Sequence, residues 1–301
     1  MNIFFSFIYT ITHFFIKIIN GRYMMKKKIR RRSLPPGWYP DSERAVRNML
    51  EKWQEELALE SLNAIAGIVP HAGWEFSGKL AFSVFRALRK DADSVIVVGG
   101  HLPTGGGIFA APEGGYETPL GLIDADLELL DFLRKNISLR EDIYSDNTVE
   151  TQLPFIKYSF PSTKALALRA SPSEEAIELG ELLHRASEEL NKKMVVIGST
   201  DLTHYGISFG FTPKGYGKEA EKWVKEVNDR RIIDALLMFR LEEAIRLGVK
   251  EKAACSAGGA VAAANYAKLK GAGEGQLLGY YTSLEIHPAE SFVGYAGIAY
   301  E

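Results

Sequence analysis

Apolar residues recur along this chain in two rhythms. Short, nearly unbroken apolar runs lie at Ala64 to Val69, Ser94 to Val98, Lys164 to Leu168 and Met194 to Ile197. Runs of that length bounded by turn residues read as strands buried on both faces. Between them apolar residues return every three or four positions, the spacing of a helix face. The spacing predicts a helix from an Asp41 or Ser42 cap to about Leu59, with Val46, Met49, Leu50 and Trp53 on one side. Further helices are predicted at Ser77 to Arg89, Asp126 to Arg134, Ser173 to Leu190, Leu241 to Leu247 and Ser256 to Leu269. Another spans Lys218 to Phe239, with a break near Asp229. Gly105-Gly106-Gly107 opens a loop and a hairpin ending near Ile123, and two late strands fall near Gln276 to Tyr281 and Phe292 to Tyr300. Strands alternating with helices predict an α/β fold in one domain: a mostly parallel central sheet covered by helices on both faces. No internal repeat or Pro/Ser/Gly-rich linker divides the body, residues 34–301.

The N-terminal extension, residues 1–33, breaks this pattern. Residues 3–19 are mostly apolar but contain His13 and Lys17. That is the short limit for a membrane span, and no secretory n-region or cleavage site accompanies it. Three readings stay open: translation starting at Met24 or Met25, a membrane anchor, or an interfacial or disordered tail. If residues 3–19 anchor the chain, the basic run Lys26 to Arg32 holds the body on the cytoplasmic side. Otherwise the protein is expected to be cytoplasmic. All three readings place the extension outside the fold.

Charge sharpens the division. The net charge is -2, yet residues 1–32 carry eight of the 36 bases and no acid, which leaves 28 bases against 38 acids. An acidic body argues against nucleic acid as a partner, because phosphate contacts need a basic face. The single cysteine permits no internal disulfide.

Candidate chemistry gathers where the strands end, the place where open α/β sheets bind ligands. His71 follows Val69-Pro70, His101 follows Gly99-Gly100, and Asp201, Thr203 and His204 follow the run Met194 to Ile197. Cys255 opens the Ala-rich helix, where the helix terminus is expected to lower the thiol pKa. Singly, each has a plainer reading: a hydrogen-bonded structural histidine, a helix-capping Asp, a small buried Cys. Imidazole with thiolate suits iron, copper or zinc. Asp201, three residues before His204, could orient that imidazole or share a ligand. Gly105-Gly106-Gly107 lacks the Lys-Ser/Thr of a phosphate loop, and no G-x-S-x-G elbow accompanies Ser199 or Ser256. His184 and His287 read as solvated or structural.

Several stretches resemble the Memo family. PHAGWEFSG is similar to its PHAGY-x-(Y/F)-S/C-G, and GSTDLTHYG to its S-S-D-(F/L)-x-H-(W/Y)-G. DNTVETQLPF is similar to E-H-S-I-E-x-(Q/H)-L-P, and ACSAGG stands in the place of C-G-R-x-P. GWYP and the closing GYAGIAY also fit, so the resemblance runs from about Pro35 to the C-terminus. It implies a fold similar to class III extradiol dioxygenases, which hold a non-haem iron. It implies metal ligation by His71, His101 and Cys255, with Asp201 and His204 lining the same pocket. Prokaryotic members are called AmmeMemoRadiSam system protein B, which implies AMMECR-type and radical-SAM proteins as partners. Three departures stand out: Asn147 replaces the motif's His, Gly99-Gly100-His101 replaces a Gly-Pro-x-His type loop, and Ser256 follows the Cys.

Two functions follow as expectations. One is a mononuclear iron or copper oxidoreductase, with His204 as acid/base oriented by Asp201. The other is a non-enzymatic metal-binding or adaptor protein that uses the old pocket for partners. Asn147, which cannot relay a proton, and the missing arginine tilt toward the second.

Overall fold

The computed structural model describes residues 28–57, 62–144 and 146–301. The expectations for residues 3–19, for Met24 and Met25 and for the helix end at Leu59 lie outside these. Among the described residues twelve strands follow in order: β1 (Ile29–Arg30), β2 (Ala66–Val69), β3 (Ser94–Gly99), β4 (Ile108–Ala110), β5 (Gly115–Thr118), β6 (Gly121–Asp124), β7 (Leu139–Glu141), β8 (Lys164–Ala170), β9 (Met194–Ser199), β10 (His204–Tyr205), β11 (Gln276–Thr282) and β12 (Phe292–Tyr300). Nine of them form one sheet in the order β10-β12-β2-β9-β3-β8-β4-β7, with β11 on β12.

The centre of that sheet, β2-β9-β3-β8, is parallel. Both flanks add antiparallel pairs: β12 on β2 with β10 and β11 on β12, and β4 on β8. The sheet is therefore mixed around a parallel core. Successive side chains along a strand face opposite ways, and the core splits accordingly. Ile68, Ile96, Val98 and Val196 pack with the helices Leu127–Asn136, Glu174–Glu189 and Ala257–Leu269. Val69, Val95, Val97 and Ile197 pack on the other face with the helices Glu43–Glu56, Lys79–Ala87 and Leu153–Ser159.

The Ala257–Leu269 helix is buried all round from Ala257 to Ala267. Its small residues are why it fits. A Cβ on Gly259 would lie 2.2 Å from the Val98 carbonyl oxygen, and one on Gly258 would lie 2.3 Å from that of Ala170. This approach fixes the helix start, and Cys255 before it, against the ends of the parallel strands.

The domain boundary moves. Residues 28–33, expected outside the fold, belong to it. β1 pairs in parallel with β5, and β5 pairs with β6, giving a small three-stranded sheet. Arg30 Nε lies 3.0 Å from Glu113 Oε2, and Arg31 Nη1 lies 3.1 Å from Glu117 Oε1. The backbone N–H groups of Ser33 and Leu34 donate to the Glu150 carboxylate at 3.0 Å. The basic run is thus partly neutralised by acids of the body. Among the described residues no helix is long and apolar enough to cross a membrane.

The remaining differences are local. The helix expected from Ser77 begins instead with a π-turn, Trp74–Gly78, and the 218–239 region holds a second π-turn, Val224–Asn228, between two α-helices. A π-turn shifts the helical period for only one turn, so its sequence signal is weak. The hairpin after the glycine run is β5–β6, whereas β4 joins the main sheet.

Candidate metal centre

β2, β9 and β3 are adjacent, so the loops leaving their carboxyl ends meet. His71 follows β2, Asp201 follows β9 and His101 follows β3. At β3 the turn depends on two glycines. A Cβ on Gly99 would strike Thr148 Oγ1 at 2.3 Å, and Gly100 has φ +115°. The Gly100 N–H then donates to Thr148 Oγ1 at 2.8 Å. Cys255 arrives from the other side, its N–H donating to the Asp201 carbonyl at 3.1 Å.

The three side chains converge. His71 Nε2 lies 3.3 Å from His101 Nε2 and 3.2 Å from Cys255 Sγ. One ligand atom from each of the three residues lies within 4.8 Å of the others. Such spacing suits one ion with metal–nitrogen bonds of about 2.1 Å and metal–sulfur bonds of about 2.3 Å. His71 is buried, Cys255 half-buried and His101 exposed.

Groups behind the trio aim it. His71 Nδ1 lies 3.2 Å from Ser199 Oγ, which turns Nε2 toward Cys255 and His101. Gln152 Nε2 lies 3.4 Å from the same hydroxyl and donates to the Pro70 carbonyl at 2.9 Å. Asp146 Oδ1 stands 4.0 Å from His101 Nδ1. Burial works against that carboxylate, but Thr148, His101 and Arg169 hold it below its ordinary range. Arg169 in turn bridges Asp146 and Asp142. Partners of this kind fix ligand orientation in metal sites.

Burial, then repulsion from His101, pushes the His71 pKa down to about 3. A neutral imidazole is the ligating form. Burial and the nearby Asp201 carboxylate push the Cys255 thiol up. The expected lowering by a helix terminus is overturned, because the helix begins only at Ala257, and burial and the Asp201 charge raise the thiol instead. A cation bound here would supply the missing positive charge and deprotonate the thiol.

Asp201 and His204 lie beside the trio, but the hydrogen bond of the His204 ring is to backbone and not to Asp201. Asp201 Oδ1 accepts the His71 N–H at 2.7 Å, and Oδ2 stands 3.8 Å from His71 Nε2. His204 is aimed by backbone instead: its Nδ1 lies 3.1 Å from the Leu202 carbonyl oxygen. Burial lowers the His204 pKa against the opposing pull of Asp201, and burial raises the Asp201 pKa.

His71, His101, Asn147, Asp201 and His204 line one cleft of about 780 Å³. Trp38, Phe76, Phe209 and Tyr295 give it aromatic walls, and no Lys or Arg lines it among the described residues. His287, read as solvated or structural, is on the rim, 3.0 Å from Glu75 Oε1. His184 lies on the Glu174–Glu189 helix, outside the cleft lining. Asn147 donates to the His71 carbonyl at 3.3 Å. Ser256 is buried and its N–H donates to Thr200 Oγ1 at 3.0 Å. Sequence reasoning passed over the supporting roles of Ser199, Gln152 and Asp146, although Gln152 and Asp146 sit inside DNTVETQLPF.

Fold and site together define an α/β protein with a His/His/Cys group placed to bind a metal at the carboxyl edge of its sheet. A family model described as "Memo-like protein" matches residues 30–299. A MEMO1 family protein of Pyrococcus furiosus is 34% identical over 288 residues, covering 90% of this chain and 98% of that one. One from Thermococcus onnurineus is 32% identical over 281 residues, covering 87% and 96%. An uncharacterized Escherichia coli K12 protein of known structure aligns with a TM-score of 0.44 at 10% identity, over 77% of this chain and 98% of that one. The chain belongs to the Memo family.

Proposed function

We propose that this protein is a mononuclear iron or copper oxidoreductase of the cytoplasm. The observation that carries the reading is the convergence of two imidazoles and one thiol beside an open cleft. His71, His101 and Cys255 would hold the ion through Nε2, an imidazole nitrogen and Sγ. Imidazole with thiolate suits a soft, redox-active metal better than magnesium or calcium. When bound, the ion supplies Lewis acidity and electron transfer at the floor of the cleft.

This chain's own residues do the rest. Ser199 holds the His71 ring in register, and Asp146 stands behind His101. His204 Nδ1–H donates to the Leu202 carbonyl, which leaves the Nε2 lone pair free to accept a proton from a bound molecule. Burial lowers the His204 pKa, which favours the neutral, proton-accepting ring. Asn147 positions but cannot relay a proton. The aromatic walls exclude water and favour ligands with apolar faces.

The test is metal content after purification without added metal. About one equivalent of iron or copper per chain is expected, as three protein ligands leave a position open for chemistry. Protein free of both metals that fails to take up either contradicts the proposal.

A second reading has its own support. Ile207 and Tyr216 are well exposed, and Phe209 extends the aromatic wall to the surface. Such a surface beside the cleft suits an adaptor that binds another protein.

A further inference from the structure

A second buried carboxylate, unused by the chemistry above, stands behind the His204 loop. Asp229 is fully buried, at the junction where the Val224–Asn228 π-turn passes into the Asp229–Leu237 helix. Three donors meet it: the Thr203 N–H at 3.1 Å, the Thr203 hydroxyl, and the Tyr280 hydroxyl at 2.8 Å. Asn228 adds a second hold on the same threonine, with Nδ2 donating to Thr203 Oγ1 at 2.9 Å. Consecutive residues of a regular helix point about 100° apart; across the π-turn both reach one side chain.

The loop is also pinned by β12. Leu202 N–H donates to the Gly294 carbonyl at 2.8 Å, and Gly294 N–H donates to the Thr203 carbonyl at 3.0 Å. A Cβ at position 294 would lie 2.0 Å from Asp229 Oδ2, so β12 and the carboxylate pack directly against each other and hold the loop together. In that loop lies the Leu202 carbonyl, whose oxygen is 3.1 Å from His204 Nδ1.

We propose that Asp229 is a positioning residue: by fixing Thr203 it sets the Leu202 carbonyl against His204 Nδ1, and so keeps Nε2 as the proton-accepting atom in the cleft. The proposal rests on the acid/base reading of His204. It adds that the ring's tautomer is set by a group 25 residues further along the chain. An Asn at 229 keeps the size but replaces one carboxylate oxygen with a donor, which opposes the Tyr280 hydroxyl and weakens the hold on Thr203.

The test uses the full chain labelled with 15N-histidine, and two-bond 1H–15N NMR to read each ring's tautomer. Wild-type His204 is expected as the Nδ1–H form. In Asp229→Asn the Nε2–H form should rise on the order of tenfold, the scale of one lost buried hydrogen bond. Thr203→Val, which keeps the backbone N–H, should shift the ring the same way but less, and it serves if Asp229→Asn fails to fold. An unaltered His204 tautomer in both Asp229→Asn and Thr203→Val, or an Nε2–H form in the wild type, overturns the proposal. The readout needs no metal and no substrate, so failure of the redox reading shows separately as an absence of metal.

Discussion

The two ends of the cleft are built differently. At one end His71 and His101 leave two parallel strands, β2 and β3, on either side of β9, and Cys255 enters a helix packed against the sheet without room for a Cβ. At the other end His204 begins a two-residue antiparallel strand at the sheet edge, held by Leu202, Gly294 and Asp229. The ligand end is fixed by sheet topology. The His204 end is fixed by a few long-range hydrogen bonds. On the proposed reading, a site assembled in this way could hold a metal while the His204 end varies.

The largest blow to the ligand end should come from packing. Gly259→Ala places a methyl group 2.2 Å from the Val98 carbonyl oxygen, and backbone cannot yield as a flexible side chain does. Overpacking should cost about 3 kcal/mol, read as a lower urea midpoint. Wild-type stability would mean that the helix slides freely, and the contrast between the two ends would lose its basis.

A smaller change sharpens the contrast. Ser199→Ala removes the group that aims His71 while leaving all three proposed ligand side chains in place. Metal affinity should fall about tenfold, as for other outer-shell partners. Competition against a chelator would measure it, and an unchanged affinity would show that the sheet alone orients the ring.

Acid should also act at the ligand end. His71 accepts a proton near pH 6.5 in the unfolded chain but only near pH 3 when folded. Between those values the unfolded state binds more protons, so this contribution to stability is complete above pH 6.5 and is lost as pH falls toward 3. The slope from one proton is at most about 1.4 kcal/mol per pH unit. His71→Gln should flatten the metal-free protein's urea midpoints across that window. An equal slope in both proteins would assign the acid sensitivity elsewhere.

The same contrast explains what the sequence disclosed. His71, His101 and Cys255 were legible because buried strands leave continuous apolar runs, and ligands gather where such runs end. Asp229 was illegible because its partners, Thr203 and Tyr280, are 26 and 51 residues away. It also follows a π-turn whose period differs only locally. β1 was missed for a related reason: Arg30 reads as part of a basic tail until Glu113 and Asp142 meet it across more than 80 residues. The Asp201–His204 pairing looked local by spacing, but the carboxylate turns back to the His71 N–H and a backbone carbonyl aims the imidazole.

The most direct test compares bound metal in Cys255→Ala and His204→Ala, purified side by side and reloaded with the same ion. Cys255→Ala should lose it, with affinity down more than about 100-fold, because a ligand matters more than the groups behind it. His204→Ala should keep close to the wild-type stoichiometry. Equal loss in both variants would make His204 a fourth ligand and the site a closed one, against the division of the cleft into a metal end and a proton-accepting end.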